Sequence, residues 1–192
     1  MANEFFEEFY IKFYPYLDRR SGTNEKMLRY LDSLNKDKYL IVETGTARDP
    51  GNIASEGNST VIFDLYCNHR NGTLYSVDLS DWSCSQARKV TSNKTIICIS
   101  DSVKFLNEFP NPEDIDLLYL DSLDVFWDNP HPSSLHHLKE LTAVYSKLKR
   151  GCLIVVDDND QGIGKGQYVA EFLESVGAEL YFNEYQIGYI KK

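Results

Sequence analysis

From residue 39 onward, short apolar runs alternate with amphipathic stretches, and few folds accept that order. Strands are predicted at 39–43, 73–78, 95–99, 115–120 and 152–156. Helical patterns lie between them, near 59–68, 82–91, 101–108, 133–149 and 164–176. Several runs, IDLLYLD and GCLIVVDD among them, are continuously apolar, as a strand is when both faces of its sheet are covered. Such alternation means a parallel α/β sheet wound on both sides. The end of the chain breaks the pattern. Two β-rich runs, 179–183 and 186–191, are joined by Asn183-Glu184-Tyr185, with no room for a crossover helix. They should pair as an antiparallel hairpin at the sheet edge. The expected fold is a doubly wound, mostly parallel seven-stranded sheet over residues 39–192 with a terminal antiparallel hairpin. Residues 1–38 form a helical N-terminal extension, in which aromatics at 5, 9, 13 and 6, 10, 14 make a helical stripe. The stripe is expected to dock on the core; a substrate lid or a homodimer contact is the alternative.

Composition narrows the function classes. The 192 residues suit one domain with a sizeable core, and 42% hydrophobic with 26% charged is ordinary for a soluble globular protein. No run reaches transmembrane length, and MANEFFEEFYIKFYPYL lacks the basic start and cleavage site of a signal peptide. The N-x-S/T matches at Asn58, Asn71 and Asn93 are read as chance. A net charge of −9 argues against a nucleic-acid backbone as partner. The one basic cluster, Lys147, Lys149 and Arg150, reads as a solvated helix end. Cys67, Cys84, Cys98 and Cys152 have no metal spacing, and Cys98 and Cys152 sit in apolar runs as buried thiols. The expected setting is reduced and cytoplasmic, with neither membrane nor nucleic acid as partner.

Ligands of open parallel sheets bind beyond the carboxyl ends of the strands. Acids stand there in a row: Glu43, Asp78, Asp101, Asp121, Asp157 and Asp158. One acid at a strand end is often a helix cap, and Asp101 opening DSVKFL carries that reading equally. Asp157, Asp158 and Asp160 have the alternative of a polar loop. Six carboxylates along one rim would repel unless they met cations or ligand donors. Asp78, ending LYSVDLS, sits where an acid accepts from ribose hydroxyls. The opening loop, VETGTARDPGNIASEGNST, has neither G-x-G-x-x-G nor G-x-x-x-x-G-K-[ST], so no pyrophosphate or triphosphate cradle is evident. GIGKGQ at 162–167 does not directly follow a strand and reads as a turn into the last helix. A nucleoside ligand without phosphate points to S-adenosylmethionine.

With these motifs in place, the sequence resembles class I S-adenosylmethionine-dependent methyltransferases over about residues 39–191. ETGTARDPGN…GNST is similar to an expanded form of their first motif, VDLS to the ribose acid, ISDS to the adenine-side position, LLYLDS to the fourth motif and GCLIVVDD to the strand after it. The resemblance implies that Glu43, Thr44, Gly45 and Thr46, with Asn58, Ser59 and Thr60 opening the next helix, hold the methionine end. It places Asp78 on the ribose, Asp101 and Ser102 at the adenine edge, and Asp121 beside the cofactor.

Within that group the chain is most similar to metal-dependent O-methyltransferases of the catechol and macrolide-sugar type and to the cephalosporin-hydroxylase-like group. That likeness implies Mg²⁺ on Asp121, Asp157 and Asp158, acidifying a hydroxyl of a small polar acceptor such as a sugar or secondary metabolite. The sequence departs from the pattern twice. The loop at 46–57 is longer, leaving open which glycine meets the cofactor, and Asp124 stands where the macrolide-sugar enzymes carry a histidine. The histidines come later, in DNPHPSSLHHLKEL. His131, His136 and His137, or Asp124 itself, are the candidate general bases, with surface or capping roles as the alternative for each histidine. The helix stripe puts His137 nearer the buried edge than His136. Two other functions compete: a nicotinamide oxidoreductase, and a cofactor-binding module that serves interaction without catalysis.

Overall fold

The computed structural model describes residues 2–53, 58–160 and 162–192, apart from the side chains of Ala2 and Asn3. Seven strands form one sheet: β1 (Tyr39–Thr44), β2 (Gly72–Asp78), β3 (Thr95–Ile99), β4 (Leu117–Leu120), β5 (Leu153–Val156), β6 (Glu179–Asn183) and β7 (Ile187–Ile190). Their spatial order is β3-β2-β1-β4-β5-β7-β6. The first five are parallel, whereas β7 runs antiparallel to both β5 and β6. The expected terminal hairpin is therefore present. The helices are α1 (Ala2–Lys12), α2 (Ser21–Ser33), α3 (Ser59–His69), α4 (Asp81–Val90), α5 (Ser102–Glu108), α6 (His131–Val144) and α7 (Gln167–Ser175). None of them is long and apolar enough to cross a membrane.

The continuous apolar strands are explained by two cores, one per sheet face. Alternate residues serve each: Ile41, Tyr119 and Val155 face one core, and Val42, Leu118, Leu120, Ile154 and Val156 face the other. The second core is closed by Leu106 of α5, Leu141 and Val144 of α6, and Val169 and Leu173 of α7. The first is closed by α3 and by the N-terminal segment, which buries Phe5, Phe9, Met27, Leu28 and Leu31 against Phe63 and Tyr66. The Phe5 and Tyr66 rings meet edge to face at 5.1 Å. The aromatic stripe of α1 is thus docked on the sheet, and Phe5, Phe6, Phe9 and Phe13 belong to its core together with Leu17, Met27, Leu28 and Leu31. Fully burying each such side chain contributes about 1.5–3 kcal/mol.

At the amino ends of the strands Asp116 is fully buried and accepts from Leu40 N (2.9 Å), Lys36 Nζ and Lys149 Nζ. Lys149, expected in a solvated cluster, therefore ties the sheet bottom together. The four cysteines are free, and Cys98 is only half-buried, because β3 is the edge strand.

Candidate functional site

The strand order reverses between β2-β1 and β4-β5, so the connections leaving β1 and β4 diverge and open a crevice at their carboxyl ends. Gly45 makes the turn there. Its φ is +82°, and a Cβ would stand 2.4 Å from the Asp121 carbonyl oxygen, so only glycine lets the two strand ends lie this close. The crevice is lined by Gly45, Thr46, Asn58, Ser59, Asp78 and Asp121 on the cofactor side of the expectation, and by Arg20, Arg48, Asp124 and Lys165 elsewhere.

Glu43 does not line the crevice. It is buried beneath the loop, where it accepts from Thr60 Oγ1 (2.7 Å), Ser76 Oγ (2.7 Å) and Ser59 Oγ. Burial pushes its carboxyl up to about 7, against the lowering effect of the three hydroxyls. Thr60 Oγ1 also accepts from Ala47 N (2.9 Å), so Glu43 and Thr60 clamp α3 and the loop to β1 and β2. Thr44 is buried too and donates to Glu140 Oε2 at 3.1 Å.

Asn58 opens α3 in a left-handed conformation, with φ 47° and ψ 40°. It is 1% exposed, and neither its amide nitrogen nor its amide oxygen has a hydrogen-bond partner; the buried Thr46 hydroxyl has none either. Buried polar groups left this way cost stability, and both residues line the crevice. Asp78 completes this side, accepting from Ser80 N (2.7 Å) and Thr46 N (3.2 Å). Residues 54–57, including Gly57 of the long opening loop, lie outside the described residues. Asp101 caps α5 by accepting from Lys104 N (2.8 Å), and the buried Ser102 hydroxyl meets His136 Nε2 at 3.2 Å. Neither belongs to the crevice lining.

Asp121, Asp157 and Asp158 come together as expected, with ligand oxygens all within 4.8 Å of one another. Their charges are already met. Lys165 Nζ donates to Asp121 Oδ1 and Asp158 Oδ2 (2.9 Å to the latter), and Arg20 Nε donates to both oxygens of Asp157 (3.0 and 2.8 Å). Arg20 Nη2 and the Tyr185 hydroxyl both reach Asp158 Oδ1, at 2.9 and 2.8 Å, and the guanidinium lies 4.6 Å over the Tyr185 ring. Burial opposes the Lys165 charge, but Asp121, Asp158 and Asp157 outweigh it and hold the ammonium above the usual lysine range. Burial likewise opposes the Asp158 carboxylate, and Lys165, Tyr185 and Arg20 overcome that and lower it. Burial raises Asp121 while Lys165 opposes it. We assign this pair as ionised, since a neutral Asp121 would leave the buried ammonium short of an anion.

The Mg²⁺ expected here does not fit these side chains as they stand. Two fixed cations use the oxygens that a hard divalent ion would need. Neither cation was recognised in the sequence. Arg20 arrives from the turn at Asp18–Arg20, far away in the chain. Lys165 lies in GIGKGQ, which is more than a turn: Ile163–Gly164 pairs antiparallel with Asn159–Asp160. A Cβ on Gly164 would stand 2.1 Å from the Asp158 carbonyl, so the glycine permits the fold-back that aims Lys165 at the acids.

The four candidate bases separate clearly. His131 bonds Tyr168 (Nδ1 to hydroxyl, 2.6 Å), outside the crevice lining. His136 contacts Glu140 Oε1 at 3.3 Å, which together with nearby Asp101 raises its pKa despite burial. His137 is fully buried and donates from Nδ1 to Ser133 O (2.7 Å); burial pushes its pKa down to about 4. Both flank the buried Glu140, which also accepts from Ser122 (2.6 Å) and was missed in the sequence, although it lies three and four residues beyond the pair. Asp124 alone of the four lines the crevice, and there it pairs with Arg48 through both oxygens at 3.0 and 3.1 Å.

No family model matches this sequence, and no curated protein matches it. Solved structures do. The O-methyltransferase NovP aligns with 91% of this chain and 80% of its own, at 14% identity and a TM-score of 0.64. The calicheamicin methyltransferase CalS11 aligns with 96% and 84%, at 14% identity and 0.62. SMU.1697c of Streptococcus mutans, solved in complex with SAH, aligns with 88% and 97%, at 12% identity and 0.59. At these identities the likeness is one of fold. The chain has the Rossmann-like fold of the class I methyltransferases, with helices added at its N-terminus.

Proposed function

We propose that this protein is an S-adenosylmethionine-dependent methyltransferase that acts on a hydroxyl of a small polar acceptor. The observation that carries the reading is Asn58, a buried amide with no partner of its own, facing the crevice at the reversal point of this fold. Beside it the Thr46 hydroxyl is equally unsatisfied. These groups fit a ligand with both donors and acceptors, such as the amino-acid end of S-adenosylmethionine. The start of α3 at Ser59 adds N–H groups for its carboxylate. Asp78, held by two backbone N–H groups, has acceptor capacity left for ribose hydroxyls. When bound, S-adenosylmethionine supplies a methyl group on a cationic sulfur.

The acceptor would enter between the opening loop and the loop after β4, where Arg48 and Asp124 meet. Tyr185 lines the crevice, and the Trp127 ring lies behind it with centroids 6.5 Å apart. In this reading Asp124, the one candidate base that lines the crevice, is the proton acceptor. The charge of −9 supports a small acceptor over nucleic acid or a membrane surface.

Calorimetric titration with S-adenosylhomocysteine and with NAD tests the cofactor. S-adenosylhomocysteine should bind saturably and NAD should not; silence with S-adenosylhomocysteine would sink the proposal. A screen of sugars and catechols with the methyl-labelled cofactor then tests for the acceptor.

A further inference from the structure

We infer that the acidic centre at the ends of β4 and β5 is built to work with tethered side-chain cations in place of a divalent metal, and that Lys165 sits where such an ion would bind. The inference concerns this cluster alone and stands whether or not the crevice binds S-adenosylmethionine.

Three carboxylates whose oxygens lie within 4.8 Å of one another cannot all stay ionised in a half-buried site without cations. Two arrangements are open to a chain that keeps them: to recruit an ion, or to supply charge from within. This chain supplies it. The Lys165 side chain is 1% exposed and bridges Asp121 of one strand end to Asp158 of the next, which is the span a shared metal would take. Arg20 covers both oxygens of Asp157 and one of Asp158. The bridging ammonium is delivered by a built backbone device, the short ladder closed at Gly164, and Lys165 N donates to the Asp158 carbonyl at 3.1 Å. Three negative charges and two positive ones leave the centre close to neutral. A divalent ion would have to expel the ammonium from a buried position or sit beside two positive charges, and in a poorly screened site either is costly.

Removing the tethered cation should therefore uncover a metal site. Mn²⁺ binding is measured on the full chain by the loss of the free-ion electron paramagnetic resonance signal, for wild type, Asp121→Asn, Lys165→Ala, Lys165→Met and Lys165→Ala/Asp121→Asn. Wild type should show no saturable site, and its melting temperature should be the same in EDTA and in Mn²⁺. Lys165→Ala and Lys165→Met should gain one site at least tenfold tighter than any binding by wild type, and the Asp121→Asn change, which takes away one of the two carboxylates that Lys165 bridges, should remove that gain. If a Lys165 variant unfolds without metal, recovery of its fold in Mn²⁺ registers the same gain. Stoichiometric Mn²⁺ binding by wild type that is lost in Asp121→Asn overturns the inference, and the wild-type measurement does not depend on any variant folding. Folded Lys165 variants that bind no better than wild type overturn it as well.

Discussion

Glu43 and His137 show how burial converts single residues into pH-dependent stability. Glu43 is pushed up to about 7, so between its ordinary 4.5 and 7 the folded state keeps a proton that the unfolded chain has lost. Its contribution is complete below 4.5 and disappears as pH rises through 7. His137, pushed down to about 4 from 6.5, has the opposite sign: its contribution is present above 6.5 and is lost as pH falls toward 4. In the shared window the two partly cancel, and single variants separate them. Stability of Glu43→Gln relative to wild type should improve as pH rises from 5 to 7, by at most ~1.4 kcal/mol per pH unit. A constant difference across denaturant unfolding curves at those pH values would rule out a protonated buried Glu43. Asp78 belongs to binding instead. Asp78→Ala should weaken S-adenosylhomocysteine by roughly 1.5–3 kcal/mol, the worth of hydrogen bonds to a charged group. Unchanged affinity in a folded variant would take Asp78 out of the site.

Short elements carry the geometry. The first residue before α3, Asn58, must adopt a left-handed backbone, which glycine also accepts. Asn58→Gly therefore keeps the conformation and removes only the amide. The expected result is a protein as stable as wild type, within about 1 kcal/mol, whose affinity for S-adenosylhomocysteine falls at least tenfold. Equal affinity would mean that the orphaned amide serves only the loop. At the ladder after β5, Gly164 has φ +119° and the Asp158 carbonyl against its Cα. Gly164→Ala should lower the melting temperature, and in the inferred scheme it should also loosen Lys165 and allow Mn²⁺ to bind weakly. Gly162, with φ +88° but open space around it, should tolerate alanine with a smaller loss.

Across the molecule, the N-terminal helices do two jobs at once. They close one face of the sheet and they send Arg20 to the strand ends. Phe9 is fully buried and packs on Phe5, Phe13 and Tyr14, so Phe9→Ala should cost about 3–5 kcal/mol in chemical denaturation. A loss below about 1 kcal/mol would mean that the segment is held only loosely. Arg20→Met should cost stability too, because it leaves Asp157 buried without its cation.

The architecture could be read along the chain because its signals are local. Period, run length and the tight link at 183–185 report whether a strand is covered on both faces and whether a crossover fits. The strand-end acids follow from the same logic, since the strands themselves place Asp78, Asp121 and Asp157 on one rim. What sits against those acids depends on residues distant in sequence. Arg20 lies 137 positions from Asp157, and Lys165 lies 44 from Asp121. No local pattern marks a lysine as a counter-ion rather than a turn residue, and the difference between an acidic cluster awaiting a metal and one already neutralised exists only after folding. The same holds for His137, whose helix position was legible but whose complete burial depends on how α6 packs against its neighbours. Charge and burial are properties of the assembled surroundings, and packing alone brings those together.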